Sequence, residues 1–142
     1  MSNITVWFIK CALVYFLLAV LIGIYMSYAG PVYPYMQIHA HFNLIGWMSM
    51  MVFGVAYHIL PRFSGKPLWS ERLSLIQLWL ANIGLIGMAI GWFVRGAFSN
   101  SVLLVAAAVA EGVAILFFVV NMFKTIKAAP APVPAPAKPG GK

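Results

Sequence analysis

The chain has 142 residues, of which 63% are hydrophobic and 8% charged, with nine Lys and Arg against two acidic residues. A soluble domain carries about 25% charged residues, so the composition excludes an ordinary water-soluble core. The formal charge of +7 is no nucleic-acid footprint either, because the basic residues stand at the ends of apolar runs, where they set topology and meet anionic headgroups.

The expected fold is therefore all-α: an integral membrane four-helix bundle that assembles into oligomers. Four apolar stretches approach the length of about 20 residues that a bilayer demands, at residues 11–29, 38–60, 73–94 and 102–123. Together they make a membrane domain over residues 1–127. Lys10 precedes the first stretch, and the link after the second holds Arg62, Lys66, Glu71 and Arg72. Arg95 stands alone in the third link, and Lys124 and Lys127 follow the last stretch. Counting Lys and Arg puts both termini in the cytoplasm of a bacterial inner membrane, with the link before the second stretch outside.

The first stretch has a superficial likeness to a signal peptide, but its apolar run exceeds the usual length and it is read as a retained span. Cys11 is read as a small buried hydrophobe. Tyr28, Tyr33 and Tyr35, around Pro31 and Pro34, suit an outer aromatic belt.

The second stretch holds all three histidines. His39 and His41 lie where it begins and His58 near its far end. Imidazole in an apolar span is costly unless paired or ligating, so the first pair marks a candidate metal or haem site. At about 100° per residue, Asn43, Gly46, Met50, Gly54 and Tyr57 share the face of His39. That face is polar or small and suits close approach by a helix or a flat cofactor. His41 falls on the opposite side with Ile45, Met48, Val52, Val55 and Ile59, a surface expected to meet lipid or another protomer. Both imidazoles of one chain therefore cannot reach one iron, and the angular reading favours His39. Copper is an alternative, since H-x-H with Met26, Met36, Met48, Met50 and Met51 nearby offers imidazole and thioether. His58, beside Pro61 and Arg62, reads as an interfacial residue.

In the third stretch Gly84, Gly87 and Gly91 share one side and predict helix contact, while Gln77 and Asn82 need partners in the bundle. The fourth carries Glu111 near its midpoint, where a charge costs about 2.5–3.5 kcal/mol on insertion scales. Its neighbours Ala107, Ala108 and Ala114 are small, so Glu111 should face protein, either as a proton or quinol contact or as a structural hydrogen-bonding group. Residues 128–142 repeat Ala and Pro, which predicts an extended, disordered tail.

The run IHAHFNLIGWMSMMVFGVAYHILPRF resembles the second transmembrane helix of subunit I in the haem–copper oxidase superfamily, above all its cbb-type members and the related nitric oxide reductases. In that family the helix opens with a histidine that ligates a low-spin haem near the outer surface. A match in register with Arg62 carries this role to His39; a match to the reductases' H-x-N form selects His41 with Asn43. The resemblance implies haem b as cofactor, ligands from His39 or His41, and Asn43, Gly46 and Met50 beside it. It further implies electron transfer in a respiratory or nitrogen-oxide pathway, with an outer-face electron-carrier protein or a membrane quinol as redox partner. Departures are plain. Subunit I of that superfamily has three four-helix arcs about a pseudo-threefold axis, and this chain has the length of one. The second haem-ligating histidine and the histidine cluster of the binuclear site are missing. The expectation is a homo-oligomer, a trimer by analogy, or a subunit of a respiratory complex. A gas-binding haem with one protein ligand and a purely structural subunit are the alternatives. Catalysis by this chain alone is not expected, because no nucleophile–base pair or complete metal cluster is visible.

Overall fold

The computed structural model describes residues 2–126, so the Ala/Pro-rich tail expected at 128–142 lies outside the described residues. Four helices account for nearly all of this length: α1 (Asn3–Ala29), α2 (Tyr35–Phe63), α3 (Glu71–Phe98) and α4 (Val102–Thr125). The shortest has 24 residues, about 36 Å at 1.5 Å per residue, enough to cross a hydrocarbon core of about 30 Å. No strand occurs among the described residues.

The helix ends have local causes. Ser2 caps α1 by accepting from the Thr5 N–H at 3.3 Å, and Gly30, at φ 81°, closes it with its N–H on Met26 O. The turn to α2 holds a cis Tyr33–Pro34 bond. Ser70 caps α3 by accepting from the Leu73 N–H at 3.1 Å. Relative to the apolar runs, α1 begins eight residues earlier than expected, so Lys10 lies inside the helix rather than ahead of it. An exposed Lys whose ammonium rests 5.3 Å above the Trp7 ring can be carried there, because its long stem snorkels toward the interface.

The helices pair as two antiparallel hairpins, α1 with α2 and α3 with α4, joined mainly through α1–α3 and α2–α3. Lipid offers no hydrophobic drive for helix association, so small residues and dense contact must supply it. On α2, a Cβ added to Gly46 would lie 2.6 Å from Tyr15 Cγ and 3.0 Å from Leu85 Cδ2. One at Gly54 would lie 3.1 Å from Phe8 Cβ. On α3, Gly84, Gly87 and Gly91 lie against Glu111, Ala107 and Leu104 of α4, as the spacing predicts. Phe8, Phe53, Tyr57 and Phe118 form an aromatic cluster among α1, α2 and α4.

Most remaining apolar side chains point outward on all four helices, which suits a bilayer and not water. Arg62, Lys66, Arg72 and Lys124 gather at one end of the bundle, while His39, His41 and Arg95 lie toward the other. The basic-end link is tied down by α4. Asn121 accepts from Ser70 N–H at 3.2 Å and donates to Ser70 O at 2.8 Å, and Thr125 Oγ1 accepts from Trp69 N–H at 3.1 Å.

Substituting Gly46→Ala forces its new methyl into the Tyr15 Cβ and ring root, which cannot swing aside, and should lower stability in detergent by about 1–3 kcal/mol. Gly112→Ala meets nothing within 4 Å and should leave the unfolding midpoint unchanged or raise it, since Ala favours the helix over Gly. Equal midpoints for the two variants would contradict this packing.

Candidate functional site

The first turns of α2 place the two imidazoles on opposite flanks. Within α2, residues Phe42–Ser49 form a π-helical segment directly after His41. This wide turn is marked by Ser49 Oγ donating five residues back to Leu44 O at 2.8 Å. Such bulges are rare and cluster at functional positions.

His39 turns into the α1–α2 contact. Its Nδ1 lies 2.9 Å from Ala19 O, and its ring rests over Gly23, where an added Cβ would meet Cε1 at 3.0 Å. A carbonyl only accepts, so Nδ1 carries the proton and Nε2 holds a lone pair. Asn43 Nδ2 fills that lone pair at 3.3 Å while also donating to His39 O at 3.1 Å. The ring is thus held at both nitrogens by the chain itself.

His41 turns toward α3. Its Nδ1 lies 2.9 Å from Gln37 O, which again places the proton on Nδ1 and the lone pair on Nε2. The ring centroid is 4.5 Å from that of Trp92, and Tyr33 OH donates to Trp92 O at 2.9 Å. Nε2 of His41 has no hydrogen-bond partner among the described residues, and the side chain is half-buried. One turn back on the same face, Gln37 Oε1 is buried without a donor. An imidazole whose Nδ1–H is engaged by a carbonyl and whose Nε2 is open has the arrangement found in metal-ligating histidines.

The stripe of Gly46, Met50, Gly54 and Tyr57, which suited either a helix or a flat cofactor, is occupied by α1. Gly46 and Met50 are buried there, Gly46 against Tyr15. Of the set expected to face lipid or a protomer, Met48, Val52 and Val55 are exposed, whereas Ile45 and Ile59 are half-buried and His41 packs on Trp92 of α3. No three His, Cys, Asp or Glu side chains come together among the described residues, and the H-x-H pair diverges rather than converging on one ion. His58 lies against Arg62 Nη1 at the basic end. The sequence reading passed over Gln37 and Trp92. The i, i+4 spacing of Gln37 and His41 was a usable signal, whereas the approach of Trp92 is purely tertiary.

Glu111 faces α3, as its small neighbours implied. An added Cβ on Gly84 would meet its Oε2 and its backbone N, each at 2.9 Å. The residue is 3% exposed and neither carboxyl oxygen has a hydrogen-bond partner. Gln77 Nε2 is likewise orphaned, while its Oε1 accepts from Tyr57 OH. Nearer the middle of the bundle, Tyr15 OH donates to Asn82 Oδ1 at 2.9 Å.

Residues 34–102, which hold α2 and α3 with all three histidines and Trp92, match the family model of cytochrome c and quinol oxidase polypeptide I. The chain resembles a portion of haem–copper oxidase subunit I. It is 37% identical over 59 residues to cytochrome c oxidase subunit 1 of Rhodobacter capsulatus. It is 34% identical over 59 residues to a cytochrome c oxidase subunit 1 homolog of Agrobacterium tumefaciens (strain T37). Each alignment covers 41% of this chain and 11% of the relative, so the likeness to subunit I spans about a tenth of those proteins. No solved structure gives a significant match. With four apolar helices and this subunit I likeness, the chain is an integral membrane protein.

Because Glu111 has no donor to lose, Glu111→Gln should change unfolding free energy by less than about 0.5 kcal/mol in detergent. A loss above about 2 kcal/mol would reveal a charged partner for the carboxylate.

Proposed function

We propose that this chain is a membrane haem b-binding protein in which His41 supplies an axial ligand through Nε2, serving electron transfer in a respiratory or nitrogen-oxide pathway. The observation that carries the reading is the open Nε2 of His41, set by the Nδ1 bond to Gln37 O at 2.9 Å. The family match over residues 34–102 supports haem as the group, and the H-x-N alignment with the reductases selects the same histidine. A haem held there supplies one-electron chemistry at its iron, with a potential set by axial ligands and burial.

The chain's own residues bind and orient. Gln37 O fixes the His41 tautomer, Trp92 walls the ring, and the orphaned Gln37 Oε1 stands ready for a donor from outside the chain. His39 and Asn43 brace α2 on α1 rather than ligating, and Gly46 and Met50 support from behind by seating α2 on α1. His39 and His41 diverge, so a second imidazole must come from another copy of the chain, in a trimer by analogy, or from another subunit of a respiratory complex. The gathering of Lys and Arg at one end favours cytoplasmic termini in a bacterial inner membrane and puts His41 on the outer side. There an electron-carrier protein or a membrane quinol is within reach. The enclosure of Glu111 between α3 and α4 favours a proton over a quinol headgroup as its contact.

One observation favours a second reading. His41 is alone on its face, so an iron bound by it without a partner copy keeps a position open for nitric oxide or oxygen.

Purified protein reconstituted with haem should give a low-spin b-type spectrum that His41→Ala abolishes while helical content is retained. His39→Ala should keep the spectrum but lower stability by about 1–2 kcal/mol through the lost hydrogen bonds. A five-coordinate spectrum that shifts with carbon monoxide would select the gas-binding reading. Colourless protein at full stoichiometry, or a spectrum untouched by His41→Ala, would refute ligation by His41.

A further inference from the structure

A second feature is the lipid-facing groove between α1 and α3. These two helices touch sparsely, and the gap forms two adjoining hollows of about 360 and 290 Å³. Both share Trp7, Cys11, Asn82 and Ile86 in their walls. Trp79 flanks the first and Lys10 the second. The two tryptophans stand at the rim, 56% and 64% exposed, although the helices pack tightly elsewhere.

The groove is apolar along its length but carries one cation. Lys10 sits seven residues into α1, about 10 Å from the helix start, with its ammonium over the Trp7 ring. No acidic residue lines either hollow. Of the two carboxylates in the sequence, Glu111 is enclosed between α3 and α4, and Glu71 stands exposed in the first turn of α3. The groove floor offers polar atoms that are already in use, since Asn82 accepts from Tyr15 OH and donates to Leu78 O at 2.7 Å. What is left unanswered is a positive charge above an apolar trough, at the end of the bundle where Arg62, Lys66, Arg72 and Lys124 also gather.

The geometry points to a binding site for an anionic phospholipid, with its phosphate on Lys10 and an acyl chain lying between Trp7 and Trp79. The chemistry of the two ends fits. Basic residues beside a gap between membrane helices on the Lys/Arg-rich side recruit acidic headgroups, whereas a zwitterionic headgroup brings its own cation beside the phosphate and gains less from the Lys10 ammonium. Trp rings at such a rim are suited to the boundary between headgroup and chain. The remaining basic residues at this end do not line the groove.

The full chain, reconstituted in phosphatidylcholine vesicles, tests this with lipids brominated on the acyl chain. The signal of Trp79 is isolated as the difference between the parent and Trp79→Phe. At equal mole fraction, brominated phosphatidylglycerol should quench Trp79 at least twofold more than brominated phosphatidylcholine. Lys10→Gln should make the two lipids equivalent, and Lys10→Arg should keep the preference. Equal quenching in the parent chain would overturn the proposal without reference to any variant. So would an anionic preference that survives Lys10→Gln. Protection of Trp79 from both lipids, relieved as protein is diluted in lipid, would instead put a second copy in the groove. None of these readings depends on haem.

Discussion

Close approach between helix backbones is the condition on which the rest of this structure depends. In a bilayer, apolar side chains gain little by meeting one another rather than lipid, so association falls to van der Waals density and to the few polar contacts available. The chain meets the condition twice, with Gly46 and Gly54 against α1 and with Gly84, Gly87 and Gly91 against α4. Everything chemical is arranged around these two seams. His39 lies in the first, Glu111 in the second, and His41 outside both.

Polar groups sort along the same lines. At the basic end, Ser70, Asn121 and Thr125 satisfy the backbone of the α2–α3 link, as an irregular segment next to a membrane requires. In the α1–α3 region Tyr15 and Asn82 satisfy one another. The exceptions are Glu111, the Gln77 amide nitrogen and Gln37 Oε1. Buried polar atoms without partners are uncommon enough that each asks for a reason. Under the proposed function, Gln37 Oε1 would meet a group arriving at His41 from outside the chain.

Much of this was legible in the sequence, and what was missed has identifiable causes. The number of spans followed from apolar run length, and the contact face of α3 from its glycine spacing. The divergence of His39 and His41 followed from two steps of about 100°. The start of α1 was placed late because Lys10 interrupts the apolar run, although a helix tolerates a snorkelling lysine. The π-helical segment at Phe42–Ser49 left no mark in periodicity. The angular reading also preferred His39 as ligand because its face was small and polar. Smallness cannot distinguish room for a cofactor from room for a helix, and here α1 took the room.

That outcome changes how the H-x-H spacing is understood. Two imidazoles separated by one residue face opposite ways, so one can serve the fold and the other can serve a ligand without competing for the same space. His39 is committed inward, its proton on the Ala19 carbonyl and its lone pair on Asn43. His41 uses its own helix to fix its proton and leaves Nε2 without a partner among the described residues. His39 ties the first turns of α2 to α1, and the π-helical segment begins directly after His41. Under the proposed function, a chain with one unpartnered imidazole nitrogen supplies half of a bis-histidine site. The other half must then come from the surface that meets it, which makes assembly part of the cofactor's coordination.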